Sequence, residues 1–273
     1  PLKSVSRRRS ELRHGGSGFS GILAICPRRS CTVPVTSNPY RWAVLAGVWL
    51  IYFCFGLTSM SLAPLVVPVI ADLDMSHAEM GLVLGGWQLV YIATAAACGA
   101  VTDRAGPRIG LLLSAVFIAL SGLLRAEAND FWTLFAAVTV FGIGGPMVSI
   151  GAPKLITLWF QGQEKGLAMG IYVTGPATGG IVSLALTNSV FMPWLDHDWR
   201  AVLSLFALTT LVCGLVWLLI ASHPAARKME RELKAQPKEP QLAVFRMLLG
   251  KRAVQLVLVM SVGIFFFNHG LNN

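Results

Sequence analysis

The chain alternates between long apolar runs and short polar stretches. Each run approaches or exceeds about 20 residues, which is enough for a helix to cross a hydrocarbon core about 30 Å thick. Polarity does not alternate within the runs, so they predict membrane-spanning α-helices and not the strands of a barrel. We predict an all-α integral membrane protein with six spans and the start of a seventh, at about Trp42–Ile70, Ser76–Val101, Ile109–Leu124, Phe131–Leu158, Gly166–Phe191, Ala201–Ser222 and Ala253–Asn273.

Prolines and capping residues predict where these helices begin, bend and end. Ser76 and Glu79 have the spacing of a capping box at the start of span 2. Pro64 and Pro68 predict a bend or break at the outer end of span 1. By the same reasoning, Pro146 and Pro153 predict interruptions in span 4.

The polar stretches divide the chain into four parts. Residues 1–39 are basic and rich in Ser, Gly and Pro, which predicts a disordered cytoplasmic tail, with a transit peptide as the alternative. Residues 40–222 form the predicted six-helix bundle, 223–252 a charged cytoplasmic linker, and 253–273 the start of span 7. Because the sequence starts without Met and stops directly after an apolar run, we expect it to be a fragment.

The charges fall unevenly on the two sides of the predicted membrane. The chain is 55% hydrophobic and 13% charged, with 22 Lys and Arg against 13 Asp and Glu. All the cations except Arg125 and Arg200 fall on one side, and Arg125 begins a predicted short external loop, 125–130. The positive-inside rule then predicts a multi-pass protein of the plasma (inner) membrane with a cytoplasmic N-terminus. It explains the positive charge better than nucleic-acid binding does.

Two parts of the bundle resemble each other. Residues 79–85, which begin span 2, match 164–170, which begin span 5. Gly56 precedes an Ala-Pro pair by the same spacing as Gly145 does in span 4. Spans 1–3 therefore resemble spans 4–6, and an odd number of spans per copy turns the second copy upside down. Inverted repeats of this kind are typical of transporters.

A glycine-rich charged segment, Gly99-Ala-Val-Thr-Asp103-Arg104-Ala-Gly106-Pro107-Arg108, joins spans 2 and 3. Gly106 permits a tight turn, and Pro107 is suited to the first position of the next helix. The segment resembles the cytoplasmic loop motif of the major facilitator superfamily, and residues 159–170 resemble the superfamily's loop between spans 4 and 5. Residues 267–273 are similar to the cyanate permease and 2-nitroimidazole transporter family.

This resemblance implies a major-facilitator-type six-helix bundle, built as a 3+3 inverted repeat, that works by alternating access. It implies that Asp103 and Arg104 latch an inner gate against a helix of a second bundle. Two departures speak against a drug/proton antiporter: Val138 stands where the superfamily often has Arg, and Gly170 is one residue out of register with the span 5 Gly-Pro motif. The gating residues implied are Gly99, Asp103, Arg104, Gly106 and Arg108.

Polar side chains within the spans are the candidates for contact with a solute. Lys154 could extend to the interface or attract an anion. His269 suits a central cavity, helix packing or an outer gate, and it carries the hypothesis of a coupled proton because His titrates near neutral pH. The uncharged candidates could equally make helix–helix hydrogen bonds. The predicted cavity residues are Tyr52, Gln88, Tyr91, Lys154, Tyr172, Asn268, His269 and Asn272.

The predicted function is secondary transport of a small polar or anionic organic solute across a lipid bilayer, without a cofactor. The alternative is a non-transporting membrane sensor or scaffold on the same fold. An integral-membrane enzyme is disfavoured because the spans contain no cluster of His, Asp and Glu. The five cysteines fit no metal-binding spacing, and no nucleic-acid partner is expected.

Overall fold

The fold is an all-α bundle, seen in a computed structural model that describes residues 39–235, 250–252, 254–257, 259–260 and 263. The predictions for residues 1–38, for 236–249 and for Asn268, His269 and Asn272 lie outside the described residues. The predicted six-helix architecture is confirmed. The helices long and apolar enough to cross a membrane are Tyr40–Asp72, His77–Ala105, Pro107–Ala126, Phe131–Trp159, Gly162–Trp194 and Trp199–Ser222, which we call spans 1–6.

Spans 1 and 5 each contain an irregular turn. Span 1 consists of helix Tyr40–Ser59, a 3₁₀ turn at Ala63–Leu65 and helix Val66–Asp72. Pro64 lies in that turn and Pro68 in the first turn of the helix that follows, so the predicted break is confirmed. Span 5 runs as a regular helix over Gly162–Leu186 and then passes through a π-helical turn at Thr187–Phe191.

Span 4, in contrast, is helical from Phe131 to Trp159, so the predicted interruptions at Pro146 and Pro153 are wrong. A proline inside a helix leaves the carbonyl four residues earlier without its N–H partner. For Pro146 that carbonyl belongs to Gly142. The Thr94 hydroxyl on span 2 donates to the Val90 carbonyl of its own helix at 2.7 Å and lies 3.4 Å from the Gly142 carbonyl oxygen. The neighbouring helix thus offers the freed carbonyl a long, shared hydrogen bond, the kind of contact that transmembrane prolines rely on.

The connection between spans 2 and 3 is shorter than predicted. Span 2 continues to Ala105 and span 3 begins at Pro107, so Gly106 alone separates them. Gly106 has φ +99°, a conformation that favours glycine. Gly99, Asp103 and Arg104 therefore lie on the last turns of span 2.

Span 3 also extends further than predicted at its other end, to Ala126. Arg125 is therefore part of the helix and 2% exposed, and its predicted place in an external loop is wrong. Its guanidinium finds acceptors inside the bundle, so the charge does not have to end the helix.

Side-chain caps define the starts of spans 2 and 4. Ser76 and Glu79 form the predicted capping box, in which the backbone N–H of Ser76 donates to Oε2 of Glu79 at 2.8 Å. Asp130 and Thr133 form a second one, with the Thr133 N–H donating to Oδ1 of Asp130 at 2.7 Å. This hydrogen bond holds the pKa of the Asp130 carboxyl below its usual range.

The inverted repeat appears in the contacts between spans. The contact of span 1 with span 5 corresponds to the contact of span 4 with span 2. In the same way, the contact of span 3 with span 4 corresponds to the contact of span 6 with span 1. The repeat pairs Gly56 with Gly145 and Tyr91 with Pro176. A Cβ on Gly56 would overlap the carbonyl oxygen of Pro176, and one on Gly145 would lie 2.6 Å from Cδ2 of Tyr91. The same close approach therefore occurs once in each copy.

Many large apolar side chains on the outside of the bundle are uncovered. Leu89, Ile92 and Leu219 are 71%, 71% and 75% exposed. An apolar surface of this extent is unfavourable in water and suits contact with lipid acyl chains. The chain is a multi-pass membrane protein.

Substitution of Gly56 by Ala is expected to destabilise the bundle. The new methyl group would meet the backbone of Pro176, which cannot move without separating spans 1 and 5, so we expect a loss of about 2 kcal/mol. Gly81→Ala is the matched control, because nothing lies within 4 Å of a Cβ there. Thermal unfolding in detergent followed by circular dichroism measures both variants. Equal melting temperatures for the two would contradict the proposed packing.

Candidate functional site

One end of the bundle, which we call the motif end, carries the charged segment of residues 99–108. Asp103 accepts from Nζ of Lys154 at 2.6 Å, across from span 2 to span 4. The two side chains are 35% and 32% exposed. Lys154, predicted either to reach the interface or to attract an anion, thus lies against the predicted gating motif and not among the other cavity candidates. Arg104, its neighbour in the motif, is exposed.

Arg108 joins span 3 to the chain that follows span 6. Its Nη1 lies 2.8 Å from Oε2 of Glu230, and its Nη2 donates to the carbonyl of Ala221. The Arg108 carbonyl in turn accepts from Nε1 of Trp217 at 3.1 Å. Glu230 belongs to helix Pro224–Ala235, which we call the linker helix. The linker helix is therefore docked on the turn between spans 2 and 3.

The contribution of Glu230 was not predicted from the sequence. Its side chain is only 10% exposed and would overlap a Cβ at Gly106. Its position in the helical repeat is the one feature of the sequence that points to it. Glu230 shares a helix face with Ala226 and Met229, which pack on the core. An acidic residue on the apolar face of an amphipathic helix indicates a buried cationic partner.

Between the two ends of the bundle, aromatic side chains from spans 1, 2, 4 and 5 lie together. Tyr52 of span 1 and Tyr172 of span 5 are 5.6 Å apart between ring centroids. Tyr91 joins them through Trp87, whose ring centroid lies 6.1 Å from that of Tyr91 and 6.3 Å from that of Phe55. We define the aromatic cluster as Tyr52, Phe55, Trp87, Tyr91, Phe141 and Tyr172.

The aromatic cluster thus unites three of the predicted cavity residues: Tyr52, Tyr91 and Tyr172. Gln88 lies three residues before Tyr91 on span 2, and both side chains are half-buried. Beside the cluster, Nε1 of Trp49 donates to Oγ1 of Thr174 at 2.9 Å, linking spans 1 and 5 once more. Rings and hydroxyls of this kind can stack on and hydrogen-bond a polar solute.

Arg125 reaches the aromatic cluster from the end of the bundle opposite the motif end. Its Nη1 donates to the Thr58 carbonyl at 2.9 Å and to Oγ of Ser61 at 3.1 Å. Its Cζ lies 5.2 Å from the ring centroid of Phe141. In the sequence, Arg125 stands out because it and Arg200 are the only Lys or Arg residues on the acidic side of the predicted membrane. Their rarity there was a reason to ask what each one binds.

Comparisons with known proteins agree with the fold. A family model described as the Major Facilitator Superfamily matches residues 48–272. The galacturonate transporter of Dickeya chrysanthemi is 23% identical over 199 residues, which cover 73% of this chain and 56% of that transporter. The nitrate/nitrite transporter NrtP of Nostoc punctiforme is 26% identical over 184 residues, which cover 65% of this chain and 36% of that protein.

A solved structure shows the same arrangement of helices. It is that of a bacterial homolog of the human lysosomal transporter Spinster, in an inward-facing and occupied conformation. The TM-score is 0.61 at 21% identity, over 69% of this chain and 46% of that one. The chain thus spans about half the length of the relatives it matches.

Removing the charge of Glu230 is expected to loosen the linker helix. Glu230→Gln leaves Arg108 largely buried without its counter-charge, which is costly, so we expect amide hydrogen exchange across residues 224–235 to accelerate at least about tenfold. Glu232→Gln, two residues further along and half-buried, removes the same charge without touching that ion pair. Hydrogen-exchange mass spectrometry distinguishes the variants. Equal exchange in both would show that the Arg108–Glu230 pair does not hold the linker helix.

Proposed function

Because this chain belongs to the Major Facilitator Superfamily, we propose that it forms the first half of a secondary transporter for a small polar or anionic organic solute. The aromatic cluster carries this proposal. It lies between the two ends of the bundle and draws its side chains from both copies of the inverted repeat. Transporters built from such repeats handle their solutes near the membrane midplane, at the interface between repeats.

The proposed solute class follows from the relatives together with the chemistry of the site. The two relatives compared above are described as transporters of galacturonate and of nitrate or nitrite, which are anions. The aromatic cluster offers ring faces for the apolar side of a solute, and the hydroxyls of Tyr52, Tyr91 and Tyr172 offer hydrogen bonds for its polar groups. We therefore favour a small anion.

The motif end is the proposed cytoplasmic end, with the N-terminus on the same side and the protein in the plasma membrane. It carries exposed cations, including Arg104, Lys165 and Arg227, as the positive-inside rule requires. There the Asp103–Lys154 pair ties spans 2 and 4 together. We propose that the pair, with Gly99, Arg104, Gly106 and Arg108, controls opening of the solute pathway towards the cytoplasm.

Counterflow in liposomes tests the transport proposal. The natural protein that contains this chain is reconstituted with unlabelled solute inside, and uptake of the labelled solute is followed for D-galacturonate, nitrate and a neutral dipeptide. We expect saturable uptake of at least one anion, with KM raised severalfold by Tyr172→Phe, because the variant lacks one hydroxyl in the cluster. Trp132→Phe, on an exposed side chain of span 4, is the control. Folded protein that exchanges no solute would refute the proposal.

The same assay decides on proton coupling, which stays a prediction from the sequence. Coupling through His269 requires that the pH dependence of uptake change in His269→Gln. An unchanged pH profile would exclude that role.

Asp103→Asn is expected to impair transport while leaving insertion and folding intact. The Asp103–Lys154 pair is about one-third exposed, so its loss should cost no more than about 1 kcal/mol of stability. The expected change is therefore in the turnover rate, measured as kcat for counterflow at equal protein density. Glu164→Gln breaks another ion pair at the motif end, with Arg41, and serves as the control. Normal flux in Asp103→Asn would contradict the gating role.

A further inference from the structure

Arg125 is a positive charge enclosed by the bundle. It is the last residue but one of span 3, and its side chain is 2% exposed. Helical side chains slant towards the N-terminus of their helix, which for span 3 is the motif end. The guanidinium therefore reaches back into the membrane, where it lies over Phe141, ten residues into span 4 and roughly 15 Å from that helix's start. Charges at such depth are costly and mark functional positions.

The charge of Arg125 is only partly compensated. Within the described part of the chain, no Asp or Glu forms an ion pair with it, whereas Arg41, Arg108, Lys154 and Arg200 each have an acidic partner. Its acceptors are the Ser61 hydroxyl and the Thr58 carbonyl at the end of helix Tyr40–Ser59. A helix C-terminus carries about half a negative charge, so a net positive charge remains.

This remaining charge lies close to the aromatic cluster. Phe141, over which the guanidinium sits, is stacked on Phe55 at 5.1 Å and meets Trp87 edge-on at 5.4 Å. The Cζ atom is therefore no more than about 10 Å from the Phe55 ring centre. The intervening Phe141 ring is fully buried, and buried charges are screened little by salt.

We propose that Arg125 supplies the positive electrostatic potential by which the aromatic cluster prefers anionic solutes over neutral and cationic ones. The inference rests on the proposed function and adds the source of its charge preference. Arg125 acts through space, from behind Phe141, and does not contact the solute. The competing explanation is that Arg125 only caps the broken span 1. In that case its charge would affect stability and leave the potential at the cluster unchanged.

Thiol reactivity measures this potential without requiring transport. Tyr91→Cys places a thiol in the cluster of the natural protein, in a background with the native cysteines replaced by Ala. The rates at which this thiol reacts are measured with Arg125 present and in Arg125→Gln. The reagents are methanethiosulfonates that carry a sulfonate, a trimethylammonium group or no charge. Glutamine keeps a donor for the Thr58 carbonyl. Arg125→Lys keeps the charge, and Arg200→Gln removes an arginine that is already paired with Asp72.

The expected effect follows from the distance. Tyr91 lies at most about 17 Å from the guanidinium along the rings of Phe141 and Trp87. At an effective dielectric constant of about 20, one charge at that distance changes a rate by about fivefold. In Arg125→Gln the rate of the anionic reagent relative to the neutral one should fall about fivefold, and that of the cationic reagent relative to the neutral one should rise about fivefold. The neutral reagent reports the thiolate fraction of the introduced thiol, which the same potential also changes. Arg125→Lys and Arg200→Gln should both match the parent protein.

Equal ratios of the charged reagents to the neutral one in folded Arg125→Gln and parent protein would overturn the inference and leave Arg125 with a structural role. Should Arg125→Gln fail to fold, the parent protein still provides a test. In Tyr91→Cys, the reaction rate of the anionic reagent divided by that of the cationic reagent is expected to exceed the same ratio for 2-mercaptoethanol in solution. An equal or smaller ratio would refute the proposal. Since no solute is involved, this failure is distinct from an absence of counterflow.

Discussion

Spans 1 and 5 approach each other backbone to backbone, and the arrangement of the rest of the bundle depends on this contact. A Cβ at Gly56 or Gly179 would overlap the facing backbone carbonyl of Pro176 or Phe53. Helices in lipid gain little from burying apolar side chains, so close packing at small residues must hold them together. Tyr52 lies one turn before Gly56, and Tyr172 one turn before Pro176. The glycine contact therefore sets the distance between the two tyrosines, and with it the geometry of the aromatic cluster.

The inverted repeat uses one electrostatic arrangement at both ends of the bundle. Arg108 in the first turn of span 3 binds Glu230 and the Ala221 carbonyl at the end of span 6. Arg200 in the first turn of span 6 binds Asp72 and the Ala128 carbonyl just past span 3, the latter at 2.7 Å. Each arginine thus compensates the C-terminal end of the other span. Arg125 has no acidic partner of this kind within the described residues, which separates it from the two arginines that the repeat explains.

Hydropathy, prolines and capping residues were sufficient to predict the six spans, the break at Pro64 and the capping box at Ser76, because these features depend on residues close together in sequence. Features that depend on another helix were missed. Span 4 continues through Pro146, where the freed carbonyl faces the Thr94 hydroxyl, about 50 residues away in sequence. The sequence alone predicts a loop at Arg125, because its acceptor at Thr58 and its ring partner Phe141 become neighbours only on folding. In the candidate site, polarity alone predicts the three tyrosines. It does not predict the apolar rings that join them, because those rings meet one another only across different helices.

The central claim is that the aromatic cluster forms one wall of a solute pathway. The most direct test is a cryo-electron-microscopy structure of the natural protein in lipid nanodiscs with D-galacturonate present. We predict a water-accessible cavity bordered by the hydroxyls of Tyr52, Tyr91 and Tyr172, with the remainder of the protein on its opposite side. A cluster covered by lipid, or by packed side chains that leave no cavity, would contradict the claim.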